Sequence, residues 1–85
     1  MPTVSRFYGI IIYFYWQEHA PPHFHAKYNG QEISVEIESG KVVGSFPKRA
    51  RSLVETWRKM HVDELMADWK RAGSRKSLEP IDPLE

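Results

Sequence analysis

The 85-residue chain contains no cysteine, which removes disulfides, thiolate nucleophiles and thiolate metal ligands together. Any metal it binds must therefore be held by nitrogen and oxygen. Long apolar runs are also missing. The longest, "GIIIYFYW" from Gly9 to Trp16, falls far short of the ~20 residues that a membrane-spanning helix needs. No basic n-region precedes a small-residue cleavage site, so no signal peptide is expected. Neither a glycine-rich phosphate loop nor a Ser/His/Asp order is recognisable, and there is no internal repeat or low-complexity tract. These absences point to a cytosolic setting with no membrane segment; the sequence establishes no cofactor and leaves a divalent metal open.

The chain has room for one core. At this length folding hides only about 60–65% of the surface the unfolded chain exposes, so the stability margin is thin. The formal net charge of +1 conceals an uneven distribution. Residues 1–47 carry a net −1, residues 48–76 a net +5 and residues 77–85 a net −3. A basic middle between acidic ends suits either phosphate contact or a well-solvated helical surface. Lys48, Arg49, Arg51 and Arg58 are the candidate phosphate contacts, but no Asn or Gln base readers accompany them.

Periodicity predicts an α+β fold. Gly9–Trp16 is β-branched and aromatic throughout, which predicts one strand buried on both faces. Helices would cover one face, and a partner subunit or another protein the other. "HFHAKY", Asn29-Gly30 and "QEISVEIE" predict a hairpin closed by a turn with positive φ, with Ile33, Val35 and Ile37 facing inward. "VVGSF" supplies a further short strand. From Pro47 the period becomes helical: Ala50, Leu53, Val54, Trp57 and Met60 share one face, with Ser45 as N-cap. Val62, Leu65, Met66 and Trp69 repeat the spacing one residue out of phase, which predicts a break near His61. Asp63 and Glu64 then lie in the first turn of a second helix that Gly73 ends. The expected architecture is a three- or four-stranded antiparallel meander with two C-terminal helices packed on one face. Residues 1–76 form one compact domain, and residues 77–85 an extended acidic tail.

Three of the four histidines fall in "EHAPPHFHAKYNG", Glu18 to Gly30. If Phe24 points into the core from a strand, His23 and His25 share the opposite face. His19 precedes them across the stiff Pro21-Pro22 unit, and Glu18 adds a carboxylate. Three readings follow. His19, His23 and His25 with Glu18 could hold a divalent metal such as zinc. His23 and His25 could act as a general acid–base pair on a phosphodiester, with Arg49 or Arg51 as cationic help. Or the imidazoles could be structural, stacking on Tyr28 or Trp16 and fixing the corner between strands. His61, alone at the helix junction, is expected to cap or pack.

The segments "MPTVSRFYGIIIYFYW", "EHAPPHFHAKYNG", "FPKRARSLVETW" and "HVDELMADW" together resemble the small bacterial family catalogued as domain of unknown function 4160. The resemblance runs from about Met1 to Leu84, with "PPHFHA" its most specific part. Many members carry Asp where this chain has Glu18, a change that keeps the carboxylate and lengthens its reach. The resemblance implies a compact α+β domain. A second small gene beside many members implies one half of a toxin–antitoxin-type pair. The sequence reading is thus a small cytosolic interaction module with His19–His25 as its functional surface and a protein partner or self-association. The alternative is a histidine-dependent nuclease or metal-dependent hydrolase.

Overall fold

The computed structural model describes all 85 residues. Five antiparallel strands follow one another in the order β1-β2-β3-β4-β5, and two helices come after them. The first two strands, β1 (Thr3–Phe7) and β2 (Ile10–Tyr13), differ from the expectation of one strand over Gly9–Trp16. Tyr8 and Gly9 both take positive φ, 50° and 80°, and turn the chain so that Phe7 pairs with Ile10. The apolar run is therefore one arm of a hairpin rather than a lone strand, which raises the strand count to five. Beyond Tyr13 the chain leaves the sheet.

Strands β3 (His23–Tyr28) and β4 (Gln31–Glu36) form the expected hairpin, with Tyr28 opposite Gln31 across Asn29-Gly30 at φ 49° and 79°. Strand β5 (Val42–Gly44) closes the meander against β4. Strict alternation sends Ile10, Ile12, Phe24, Ala26, Ile33 and Val35 to one face, where all are buried. Trp57 fills the space above them, its ring centroid 5.4 Å from Phe7 and 5.8 Å from Phe24.

Helices α1 (Lys48–Met60) and α2 (Val62–Gly73) are separated at His61, as the phase shift predicts. His61 leaves the helical region at φ −131°, and its carbonyl accepts the Leu65 N–H. Its ring packs 5.2 Å from that of Trp57 and its Nδ1 meets Glu64 at 2.6 Å, so it packs at the junction as expected. Ser45 is not the N-cap. Pro47 occupies that position, and no side chain caps α1. Met60, expected on the buried face, is 61% exposed because α1 ends there.

The acidic tail docks against β1 and both helices. The Ile81 N–H donates to Val4 O at 2.8 Å, Trp57 Nε1 donates to Asp82 O at 2.8 Å, and Glu79 N–H donates to Asp68 Oδ1. Ile81 is buried in the core cluster with Leu78 and Leu84 packed against it. No helix is long and apolar enough to cross a membrane.

Candidate functional site

The segment between β2 and β3 carries Glu18 and delivers His23 to the head of β3. Backbone bonds fix it at several points. Phe14 N–H donates to Pro2 O at 3.0 Å, and Gln17 N–H donates to Ala72 O at the end of α2. The Gln17 side-chain oxygen accepts from Arg75 Nε at 3.0 Å. The Ala20–Pro21 bond is cis, and Pro22 O accepts the Ile37 N–H. Glu18 is thereby folded back over the sheet, facing the strand that follows it.

Phe24 is fully buried, and its two neighbours emerge together on the other face as alternation requires. Glu18 Oε1 lies 2.8 Å from His25 Nε2 and 3.2 Å from His23 Nε2. Donor atoms of Glu18, His23 and His25 all fall within 4.8 Å of one another. The far side of each imidazole is also engaged. His23 Nδ1 sits 2.8 Å from Pro21 O, and since a carbonyl can only accept, that nitrogen carries a proton. His25 Nδ1 faces Glu32 Oε2 at 3.4 Å.

Aromatic rings hold the imidazoles in place. His25 stacks on Tyr13 at 5.5 Å and meets the edge of Tyr15 at 4.6 Å, while His23 packs 5.2 Å from Trp69 of α2. These partners differ from the Tyr28 and Trp16 expected from sequence. Trp16 lies outside these stacking contacts, and Tyr28 packs near Phe46 at the other end of β3. Burial pushes the Tyr13 phenol far above its ordinary value, and the neighbouring Glu32 carboxylate and Tyr15 add to the effect. The Tyr13 hydroxyl is buried without a well-formed hydrogen bond. Its proximity in turn holds Glu32 below the usual carboxylate range, helped by the Tyr15 hydroxyl, which donates to Glu32 at 3.2 Å.

Not every candidate residue joins the cluster. His19 is exposed and stands outside it, because the chain turns at Pro21 between His19 and His23. Arg49 lines a hollow with Tyr28, at the far end of β3 from His23. Arg51 lies over the core face with Val35 and Val42, on the other side of the sheet from the imidazoles. Neither cation can assist a histidine pair, so the acid–base reading loses its cationic helper. Arg58 is not a phosphate contact. Its guanidinium is buried, donating to Ile37 O at 2.7 Å and to Glu38 O, and forking onto Glu55 with two 2.8 Å bonds. Lys48 is exposed on the first turn of α1.

The family model described as "Domain of unknown function (DUF4160)" matches residues 9–70. The chain belongs to this family. The matched span of the DUF4160 chain includes Glu18, His23, His25, Glu32 and the helical layer through Lys70. No curated protein and no solved structure matches it.

Glu32 and Tyr13 join the site without being expected there: alternation predicts only that Glu32 lies on the polar face of its strand, and Tyr13, expected as a surface aromatic for partner contact, is fully buried against His25. The signal for Glu32 was present in the hairpin. With Tyr28 opposite Gln31, Lys27 faces Glu32 and His25 faces Ser34, which makes Glu32 the diagonal neighbour of His25 on the same face. Tyr13 needed the β2–β3 register, where it lies opposite His25. No tight turn fixes that pairing in advance.

Proposed function

We propose that this DUF4160 chain is a small metal-dependent interaction module, in which Glu18, His23 and His25 hold a divalent transition metal, zinc foremost. One observation carries the reading. Both histidines have Nδ1 turned outward onto an acceptor, while their Nε2 atoms converge on the same carboxylate oxygen. A metal-binding histidine is usually oriented in this way, its other ring nitrogen donating to a carbonyl or carboxylate. Without a cation, each Nε2···Oε1 contact needs a proton between its partners.

The donor set suits the ion. Two imidazoles and one carboxylate match zinc sites that keep an open fourth position. Ligands about 2.0–2.1 Å from a tetrahedral zinc stand roughly 3.3 Å apart. The 3.2 Å contact already meets that spacing, and the 2.8 Å contact must open by about half an ångström. A small side-chain rotation of Glu18 supplies this.

The interaction role rests on the segment that bears Glu18. It also exposes Tyr15 and Trp16, 37% and 41% accessible, and a bound ion would fix how they are presented. The partner this reading implies is a protein, the other half of a toxin–antitoxin-type pair or a second copy of the chain, in a cytoplasmic setting. The open coordination position favours a second reading, a metal-dependent hydrolase or nuclease. Against it, none of the three hollows in the molecule lies at the cluster.

Calorimetric titration of tag-free protein with zinc tests the proposal. One ion should bind per chain, and binding should vanish in the His23→Ala/His25→Ala double variant with its circular dichroism unchanged. Failure of the wild type to bind zinc, nickel or manganese would sink it. Phosphodiester turnover by the zinc-loaded protein, abolished by Glu18→Gln, would move the hydrolase reading to the front.

A further inference from the structure

At the end of the sheet away from the histidines, a hollow of about 290 Å³ opens between the first hairpin tip and α1. Tyr8, Tyr28, Pro47, Arg49, Ala50 and Leu53 line it. Tyr8 is 54% exposed and held at φ 50°, a region that bulky side chains rarely occupy. Tyr28 is braced from behind by Phe46, 6.1 Å away, and the backbone of Gly9 passes so close that a Cβ there would stand 3.4 Å from the Tyr28 ring. One tyrosine is thus braced from behind, and the other stands exposed on the same hollow.

The charge beside these rings is of one sign. The first turn of α1 brings Lys48 and Arg49 to the surface, no acid lies in that turn, and no carboxylate pairs with either. Cations near a helix N-terminus oppose the helix dipole, so the arrangement is unfavourable for the helix alone. An anion would reverse that sign. Two ring faces next to unpaired cations complement a chain of flat bases joined by phosphates.

We propose that this hollow binds single-stranded nucleic acid, one base stacking on Tyr8 and Tyr28 while adjoining phosphates meet Arg49 and Lys48. A duplex is disfavoured because its bases present only their edges, and α1 offers no Asn or Gln in its first turn to read them. The site is independent of the metal cluster, standing at the other end of β3, so neither proposal depends on the other.

Fluorescence anisotropy with a short labelled oligothymidylate at low salt tests this, with EDTA present to exclude a role for zinc. The expected dissociation constant lies in the range of about 1–100 µM, rising with salt. Tyr8→Asn removes the ring yet suits a positive φ, so the turn survives; it should weaken binding about fivefold or more. Arg49→Gln should weaken binding and lessen its salt dependence. Melting temperatures of both variants, measured alongside, should stay at the wild-type value. The proposal is overturned by the absence of saturable binding up to about 100 µM. It is equally overturned if Tyr8→Asn binds like wild type, or if a duplex or polyglutamate competes as well as the single strand.

Discussion

Replacing Glu18 by Gln preserves the shape of the side chain and removes the anion on which both imidazoles converge. In the metal-free protein the change should be mild. Glu18 is only partly buried, its side chain 24% accessible, and ion pairs near the surface contribute at most about 1 kcal/mol. For a domain of this length each kcal/mol moves the melting temperature by about 4–8 °C, so the metal-free variant should melt within that range of wild type. Zinc separates the two proteins far more widely. At a hundredfold excess over its dissociation constant, a ligand bound only by the folded state stabilises it by about 2.7 kcal/mol. That corresponds to a rise of about 10–20 °C in wild type. Losing an outer hydrogen bond to a metal ligand already weakens affinity about 10–100-fold. Losing a ligand should weaken it further, enough to abolish most of the rise at the same zinc concentration. Scanning calorimetry with zinc, and again with EDTA, reads both quantities. The shift should also shrink as pH falls, because zinc and protons compete for the same imidazole nitrogens. Equal zinc shifts in wild type and Glu18→Gln would refute the geometric reasoning. So would a wild type that zinc does not stabilise at all.

Gly40→Ala should be strongly destabilising, by about 2–4 kcal/mol in urea unfolding, because the residue sits at φ 78° and its new Cβ would lie 2.8 Å from the buried Arg58 guanidinium. An unchanged denaturation midpoint would show that Arg58 is not the clamp on the β4–β5 turn that its hydrogen bonds describe. Glu55→Gln should flatten the acid limb of stability. The Arg58 guanidinium holds Glu55 below its ordinary value of 4.5, so the pair's contribution is complete above that value and is lost as pH falls through the lower folded value. With Glu55 39% accessible the effect should stay under about 1 kcal/mol, and an acid limb as steep as wild type would count against the pair.

Local signals made most of this architecture legible. Asn29-Gly30 fixed the β3–β4 register, and with it the shared face of His23 and His25, because a two-residue turn leaves no freedom in the pairing. The helix break followed from the one-residue slip between the Trp57 and Trp69 apolar sets, a consequence of a 3.6-residue period. Tyr8-Gly9 escaped notice because tyrosine is a poor marker for positive φ, so a hairpin read as one strand. His19 was grouped with the other histidines by proximity in sequence, which says nothing of direction once the chain has turned at Pro21. Arg58 looked like a surface cation from its helical spacing. Only the position of the β4–β5 turn, set by tertiary contacts, shows that it is buried.

The placement of the cluster bears on why a metal would matter to so small a domain. Glu18 belongs to the one long connection in the sheet, and that connection crosses to the end of α2 through Gln17 and Arg75. His23 touches the same helix through Trp69, while His25 belongs to the sheet and leans on Tyr13 and Glu32. An ion shared by Glu18, His23 and His25 would therefore join the connection directly to β3, and so to the helix that packs against His23. A chain without cysteine has no covalent means of making that join. Zinc should accordingly protect the Phe14–Ala20 amides from hydrogen exchange more than those of α1. Uniform protection across both would mean that the ion stabilises the fold as a whole and leaves the presentation of Tyr15 and Trp16 unchanged.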